Sequence, residues 1–164
     1  MIKIGKNLSK FLVYSCRPTS RDELKEIIKE RISKEGYSCD LNDIDTSLIK
    51  DISYLFYESD FNGNISCWDV SHVDDMWGMF ACSKFNGDIS NWNVSKVIYM
   101  NEMFTESEFN QDISNWNVSN VKNMISMFRE SKFNQDISSW NISEDCNINR
   151  MFYKCLIRKE YKPR

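Results

Sequence analysis

The chain has 164 residues, of which 41% are hydrophobic and 13% aromatic, and it is long enough for one domain with a buried core. Five glycines and two prolines are too few for a disordered chain. Charge is uneven: residues 1–36 carry nine Lys/Arg against five Asp/Glu, residues 37–156 eight against eighteen, and residues 157–164 four against one. An acidic body between basic ends lacks the basic stripe of a general phosphate binder, so direct nucleic-acid binding is not expected.

The six cysteines are dispersed and include no C-x-x-C pair, which predicts free thiols in a reducing compartment and no zinc site. The stretch before Cys16 faintly resembles a bacterial lipoprotein signal, but its apolar part has about four residues where a signal core needs roughly seven to fifteen. A short edge strand at residues 11–15 is the preferred interpretation. No apolar run approaches the roughly eighteen residues of a membrane span, so we expect no membrane-spanning segment. We expect the protein to be cytoplasmic.

Residues 1–36 are predicted to form an N-terminal capping segment with a helix at about 21–35. Ser20 and Glu23 have the spacing of a capping box, and Gly36 stands where the helix is expected to end. Four apolar residues at helical spacing form one buried stripe. These are Leu24, Ile27, Ile28 and Ile32.

A period of 24 residues runs through the rest of the chain. Four phenylalanines follow one another at this spacing, at positions 61, 85, 109 and 133. Ile, Trp, Val, Ser, Met and a second Phe recur in the same register, and a disguised copy with Tyr37 in the first Phe position precedes them. The period predicts five repeats, at 37–60, 61–84, 85–108, 109–132 and 133–156, followed by a polar tail at 157–164.

Within one copy, Trp92 and Val94 alternate with Asn91 and Asn93, which is the period-2 pattern of a short strand. Ser95 occupies a helix N-cap position, and apolar residues at i, i+3, i+6 and i+7 after it predict a short helix. Such copies bury their apolar residues by stacking. The predicted fold is therefore an α/β, right-handed, leucine-rich-repeat-like solenoid, with a parallel sheet of short strands, short helices opposite the sheet and an N-terminal helical cap.

The repeated motif, I-x-x-W-x-V-S-x-V-x-x-M-x-x-M-F, resembles the BspA-like leucine-rich repeats. It is closer still to the roughly 25-residue repeats of bacterial surface proteins and mycoplasma-type lipoproteins. The resemblance covers residues 37–156 and rests on a motif that recurs in register. It implies a right-handed solenoid of the leucine-rich-repeat kind, and it implies little about activity.

The sequence offers little chemistry that breaks the repeat. The sole histidine, His72, shares its slot with Lys and Asn in the next copies, which is typical of a solvated position. No nucleophile elbow, P-loop or zinc-protease motif is present, so we expect no enzyme, no catalytic residue, no metal and no cofactor. A carboxylate ladder is compatible with calcium or with Asx turns, and the absence of a Gly-rich D-x-D spacing favours Asx turns. The ladder consists of Asp88, Asp112 and Asp136.

Two surfaces remain as candidates for binding. Outward residues of the predicted strands form an acidic and amide-rich strip, which is either a binding face or a solvated sheet face. Helix-side positions vary most between copies, and three apolar ones form either an interaction patch or a cluster tucked under the return loops. The candidate partner-binding residues are Asp43, Asp45, Asp69, Asn91, Asn93, Asn115, Asn117, Trp77, Ile98 and Tyr99.

These patterns favour a non-enzymatic repeat module that binds a protein partner, since stacked repeats bind through extended surfaces. The alternative is an acidic mimic of nucleic acid that inhibits a nucleic-acid-binding protein. The caps at the two ends of the stack are candidate contacts of a homodimer.

Overall fold

A computed structural model describes residues 14–163. It contains one α-helix, α1 (Arg21–Glu35), and one 3-10 helix (Lys159–Tyr161). Residues 14–163 contain no β-strand, so the predicted α/β leucine-rich-repeat solenoid with a parallel sheet is wrong. The edge strand predicted at 11–15 lies mostly outside the described residues, and the division into cap, repeats and tail stays a prediction.

Helix α1 begins at the predicted capping residue. The Ser20 hydroxyl accepts a hydrogen bond from the Glu23 amide at 3.2 Å, while the Glu23 carboxylate accepts one from the Thr19 amide at 2.8 Å. Leu24 and Ile28 are buried in the same hydrophobic core as the repeats. The helix therefore covers apolar residues at the N-terminal end of the stack, as a terminal cap must.

The segment predicted as a helix in each copy consists of successive turns. In residues 78–83, alternate amides donate to the carbonyl three residues back, at 3.1–3.3 Å, and the amides between them donate to the next copy, at 2.8–3.0 Å. Gly78 and Cys82 have φ values of +57° and +55°, which a right-handed helix does not contain. The i, i+3 spacing of apolar residues was read correctly, but overlapping turns produce the same spacing as a helix.

The segment predicted as a strand is also built from turns. The Trp92 amide donates to the Ile89 carbonyl within the same copy at 3.1 Å, and the Ser95 amide donates to the Asn93 side chain at 3.2 Å. Parallel pairing between copies occurs as single bridges, most of them in one column. That column is Asp51, Asp75, Tyr99, Asn123 and Asn147.

Aromatic ladders fill the centre of the stack. Phe rings 24 residues apart lie parallel, with centroids 6.1–6.3 Å apart in one ladder and 5.6–5.7 Å apart in the other. The four Trp rings at the 24-residue spacing are buried as predicted, and each of their indole N–H groups donates to a carbonyl of the preceding copy at 2.9–3.2 Å. Each Trp side chain thus packs within the core and closes one backbone hydrogen bond between copies.

Two polar ladders accept hydrogen bonds from backbone amides. The side-chain oxygens of Asn62, Asn86 and Asn110 each accept from the backbone amide 24 residues on, at 2.8 Å. The three carboxylates of the acidic ladder each accept from the amide two residues on, at 2.9 Å. These are Asx turns, which the sequence favoured over calcium ligands.

Candidate functional site

The predicted outward strip is exposed, but part of it has a structural task. Asn93 and Asn117 each accept hydrogen bonds from a backbone amide and a hydroxyl two residues on. Asn91 and Asn115 are exposed and make no hydrogen bond within residues 14–163. Asp69 is exposed and accepts from the Ser71 amide at 3.0 Å. This part of the strip is therefore a solvated row of side chains, some of which cap turns.

The two acidic candidates nearest the N-terminus are held by arginines of the cap. Asp43 pairs with Arg31 at 2.9 Å, and Asp45 pairs with Arg17 at 3.1 Å. The Arg31 guanidinium holds the pKa of Asp43 below its ordinary value. Both carboxylates are half-buried and already paired, so they fix the cap to the first copy and are poor candidates for an external partner.

The apolar candidates Trp77, Ile98 and Tyr99 are 40%, 37% and 46% exposed. Two further aromatic residues, Tyr54 and Tyr57, join them. The Tyr54 ring lies 5.1 Å from the Trp77 ring and 5.7 Å from the Tyr57 ring, which it meets edge-on. Tyr99 lies in the next copy, where its backbone pairs with that of Asp75, two residues before Trp77. We call Tyr54, Tyr57, Trp77 and Tyr99 the aromatic patch.

Sequence reasoning missed Tyr54 and Tyr57 because they lie in the disguised first copy. The signal was present: at a spacing of 24 residues, Tyr54 shares a slot with Gly78 and Glu102 and is adjacent in space to a slot that holds Trp77. Aromatic residues in variable slots of neighbouring copies were the available indication of an exposed cluster.

Gly78 makes room for this cluster. A Cβ atom on Gly78 would lie 2.5 Å from the Tyr54 ring, closer than any packed pair of atoms. The positive φ does not itself require glycine, because non-glycine residues such as Glu102 and Ser126 adopt the same φ in the same slot. The glycine is therefore explained by the ring above it.

Tyr99 stands where the fold otherwise uses an Asx cap. In the other four copies, an Asp or Asn in this slot accepts from the amide two residues on, at 2.8–3.1 Å. Tyr99 has no oxygen within reach of that amide, and the amide of Asn101 has no acceptor within residues 14–163. Asn101 is 8% exposed. The tyrosine thus takes the place of one stabilising hydrogen bond.

Carboxylates surround the aromatic patch. Burial raises the pKa of Tyr54, and the charges of Glu102 and Asp75 raise it further. Burial also raises the pKa of Asp75, with further contributions from the Asp51 and Asp74 carboxylates. These shifts mark a locally negative potential around exposed aromatic rings.

Ile98 lies in a second feature, an open groove of about 600 Å³ that borders the patch. Its basic residues have no carboxylate within ion-pair distance in residues 14–163. The sole histidine lines the same groove, and its ring nitrogen lies 3.1 Å from the Ser71 hydroxyl. The lining residues are Lys50, His72, Asp74, Lys96, Ile98, Asn120 and Lys122.

Nothing in residues 14–163 is arranged as a metal centre, since no three His, Cys, Asp or Glu side chains converge there. All six cysteines are free thiols, in agreement with the sequence prediction. Within the same residues, no helix is long and apolar enough to cross a membrane.

A family model described as "Mycoplasma protein of unknown function, DUF285" matches residues 24–108 and 105–157, which together are most of the chain. No curated protein and no solved structure matches the chain.

Proposed function

Because the chain belongs to the family described as "Mycoplasma protein of unknown function, DUF285", whose description names no activity, we propose from its surface that it is a non-enzymatic module that binds a protein partner. The aromatic patch is the observation that carries this proposal. Tyr57 and Trp77, which are 45% and 40% exposed, both contact the Tyr54 ring, and Tyr99, 46% exposed, lies in the next copy. Clustered exposed Trp and Tyr side chains are typical of protein-binding surfaces.

The construction of the stack supports the same function. Core positions keep their residue type from copy to copy, because each side chain must pack against its equivalents 24 residues away. The slots of Tyr54 and Trp77 do not repeat one residue type in this way: the first also holds Gly, Glu, Ser and Arg, and the second also holds Ser, Asn and Ile. A surface that varies on a constant framework is how repeat proteins acquire partner specificity.

A comparison of captured proteins tests the proposal. Tagged wild-type protein and a Trp77→Ser/Tyr99→Asn variant are used to capture proteins from the native cell lysate, with Asn115→Ala as an exposed control outside the patch. We expect a partner that wild type and Asn115→Ala recover and the double variant loses. If all three recover the same proteins, or none recovers any, the patch is not a protein-binding surface.

The alternative of an acidic nucleic-acid mimic is less well supported, because three lysines of the groove interrupt the acidic surface. The cytoplasmic location and a homodimer through the caps remain predictions.

A further inference from the structure

We propose that the aromatic patch binds a segment of a partner protein that is rich in arginine and lysine. This inference rests on the proposed function and adds the chemical class of the partner. It follows from three independent features: the ring geometry, the surrounding charges and the two places where the patch breaks the repeat.

The ring geometry suits cationic side chains. Tyr54, Tyr57 and Trp77 form a contiguous cluster with centroids 5.1–5.7 Å apart, and Tyr57 and Trp77 remain 45% and 40% exposed. An exposed aromatic face attracts a guanidinium or ammonium group within about 6 Å of its centroid, and Trp does so most strongly. Arginine also stacks its planar group on such rings.

The charges around the patch select the same partner. Glu58 directly follows Tyr57 and raises its pKa by a side-chain hydrogen bond and by its negative charge, while the charge of Glu102 raises the pKa of Tyr54. Two arginines of the protein are engaged by carboxylates: Arg21 lies 3.6 Å from Asp51, and Arg129 lies 3.6 Å from Glu106. The carboxylates of the patch therefore attract basic groups and repel acidic ones.

The lysine groove sets one boundary of the site. Lys50, Ile98 and Lys122 each directly precede a residue of the column that contains Asp75 and Tyr99. The positive charge of the groove lysines disfavours the binding of a basic segment on the groove side of the column. We therefore place the bound cations over the cluster around Trp77, on the side of Tyr99 away from the groove.

Two departures from the repeat lie at this surface. Gly78 provides the space in which the Tyr54 ring lies, and Tyr99 replaces an Asx cap that the other four copies retain. A residue that breaks a structural rule of its own fold, as Tyr99 does, is expected at a functional position. Gly78 directly follows Trp77, and Tyr99 lies in the next copy.

The test measures fluorescence anisotropy with fluorescein-labelled octa-arginine, at about 0.15 M salt to screen long-range attraction. We expect Trp77→Ala to weaken binding by about 5- to 30-fold, the range given by a partly desolvated cation–π contact. Trp77→Phe retains an aromatic face, and we expect it to bind within about threefold of wild type. Asn115→Ala is expected to bind as wild type does, and circular dichroism melts check that each variant is folded.

Two variants with the same charge change separate the site from general attraction. Glu102→Gln removes a carboxylate at the patch, whereas Glu144→Gln removes an exposed carboxylate in the last repeat. We expect the first to weaken octa-arginine binding more than the second. Equal effects, or no effect of Trp77→Ala, would overturn the proposal.

Binding of labelled octa-glutamate and of a labelled single-stranded oligonucleotide tests whether the partner is negatively charged. Stronger binding of either one than of octa-arginine would refute a basic partner. These outcomes are distinct from failure of the proposed function. One outcome would separate the two proposals. If the Trp77→Ser/Tyr99→Asn variant loses a lysate partner, and octa-glutamate competes with that partner for the wild-type protein, then the patch binds a protein but not a basic segment.

Discussion

Replacing Trp116 by alanine measures how strongly the aromatic rungs hold the copies together. Trp116 is 4% exposed, and its ring lies 6.4 Å from the parallel ring of Trp140 and 6.4 Å from the tilted ring of Phe104. Its indole N–H donates to the Ile89 carbonyl of the preceding copy at 3.2 Å. The substitution therefore removes packing and a backbone hydrogen bond between copies at once.

The expected cost follows from these contacts. A buried Trp→Ala substitution costs about 3–5 kcal/mol through lost burial and the cavity left behind. The Ile89 carbonyl keeps the Trp92 amide as a donor at 3.1 Å, so loss of the indole hydrogen bond adds only about 0.5–1.5 kcal/mol. Domains are stable by about 5–15 kcal/mol, so the variant is expected to lose a large part of its stability. In a chain of this size the melting temperature should fall by about 10 °C or more.

Thermal and urea unfolding followed by circular dichroism provide the assay. Asn115→Ala is the matched control, because Asn115 is the exposed neighbour and makes no hydrogen bond within residues 14–163. Asn117 is unsuitable, since it caps the Ser119 amide at 3.2 Å. Trp116→Phe should fall between the two, because it keeps a ring and loses the donor. If Trp116→Ala melts within a degree or two of Asn115→Ala, the Trp ladder does not stabilise the stack.

Three further predictions concern the framework. In thermal unfolding experiments, Gly63→Ala should lower the melting temperature sharply, because the added Cβ would overlap the Cys39 carbonyl oxygen. The Asp88 carboxylate has a pKa below its ordinary value because a backbone amide donates to it. Its stabilisation is therefore complete above about pH 4 and lost as pH falls through the lowered pKa, which melting temperatures from pH 7 to pH 3 will show. In hydrogen exchange, the amide of Asn101 should exchange faster than its equivalents in other copies, and Tyr99→Asn should slow it by restoring the cap.

Each of these has a control within the repeat. Gly87→Ala should cost less than the change at position 63, because the same slot holds Gln111 in the next copy. Asp88→Asn keeps the oxygen acceptor without its titration, so the acid-dependent loss of stability should become smaller than in wild type. The capped amide of Ile125 provides the slow reference for hydrogen exchange. Equal exchange at Asn101 and Ile125 would show that the missing cap has no effect on the backbone.

The sequence was sufficient to predict the period and the inward side of each copy. Residues such as Trp92 and Phe104 recur in register and are buried at 4% and 0% exposure. Asx turns and the capping box were predictable as well, because each involves a side chain and an amide within a few residues. The buried positions and the local turns are therefore predictable from the repeat and from contacts between residues close in sequence.

The secondary structure was not predictable by the same reasoning. Apolar residues every three positions indicate a helix when each amide bonds within its own segment. Here every second amide bonds to the neighbouring copy, and residues such as Cys82, Glu102 and Glu106 adopt positive φ values of 54–58°. Non-glycine residues rarely adopt this conformation, so residue propensities do not predict it at these positions. Bonds between copies stabilise it, and they exist only once the stack has formed.

A repeat protein carries its own internal comparison, and this makes its functional positions visible without relatives. Five copies share the slot of Tyr99, and four of them hold a residue that caps the backbone. The physical demand on that slot is the same in every copy, so the exception cannot be explained by packing or by the local turn. The backbone of Tyr99 pairs with that of Asp75, which is two residues before the exposed Trp77 and lies near the Asp51 and Asp74 carboxylates. The structure gives up a hydrogen bond there and gains an aromatic face on an acidic surface, which is the composition that a basic partner requires.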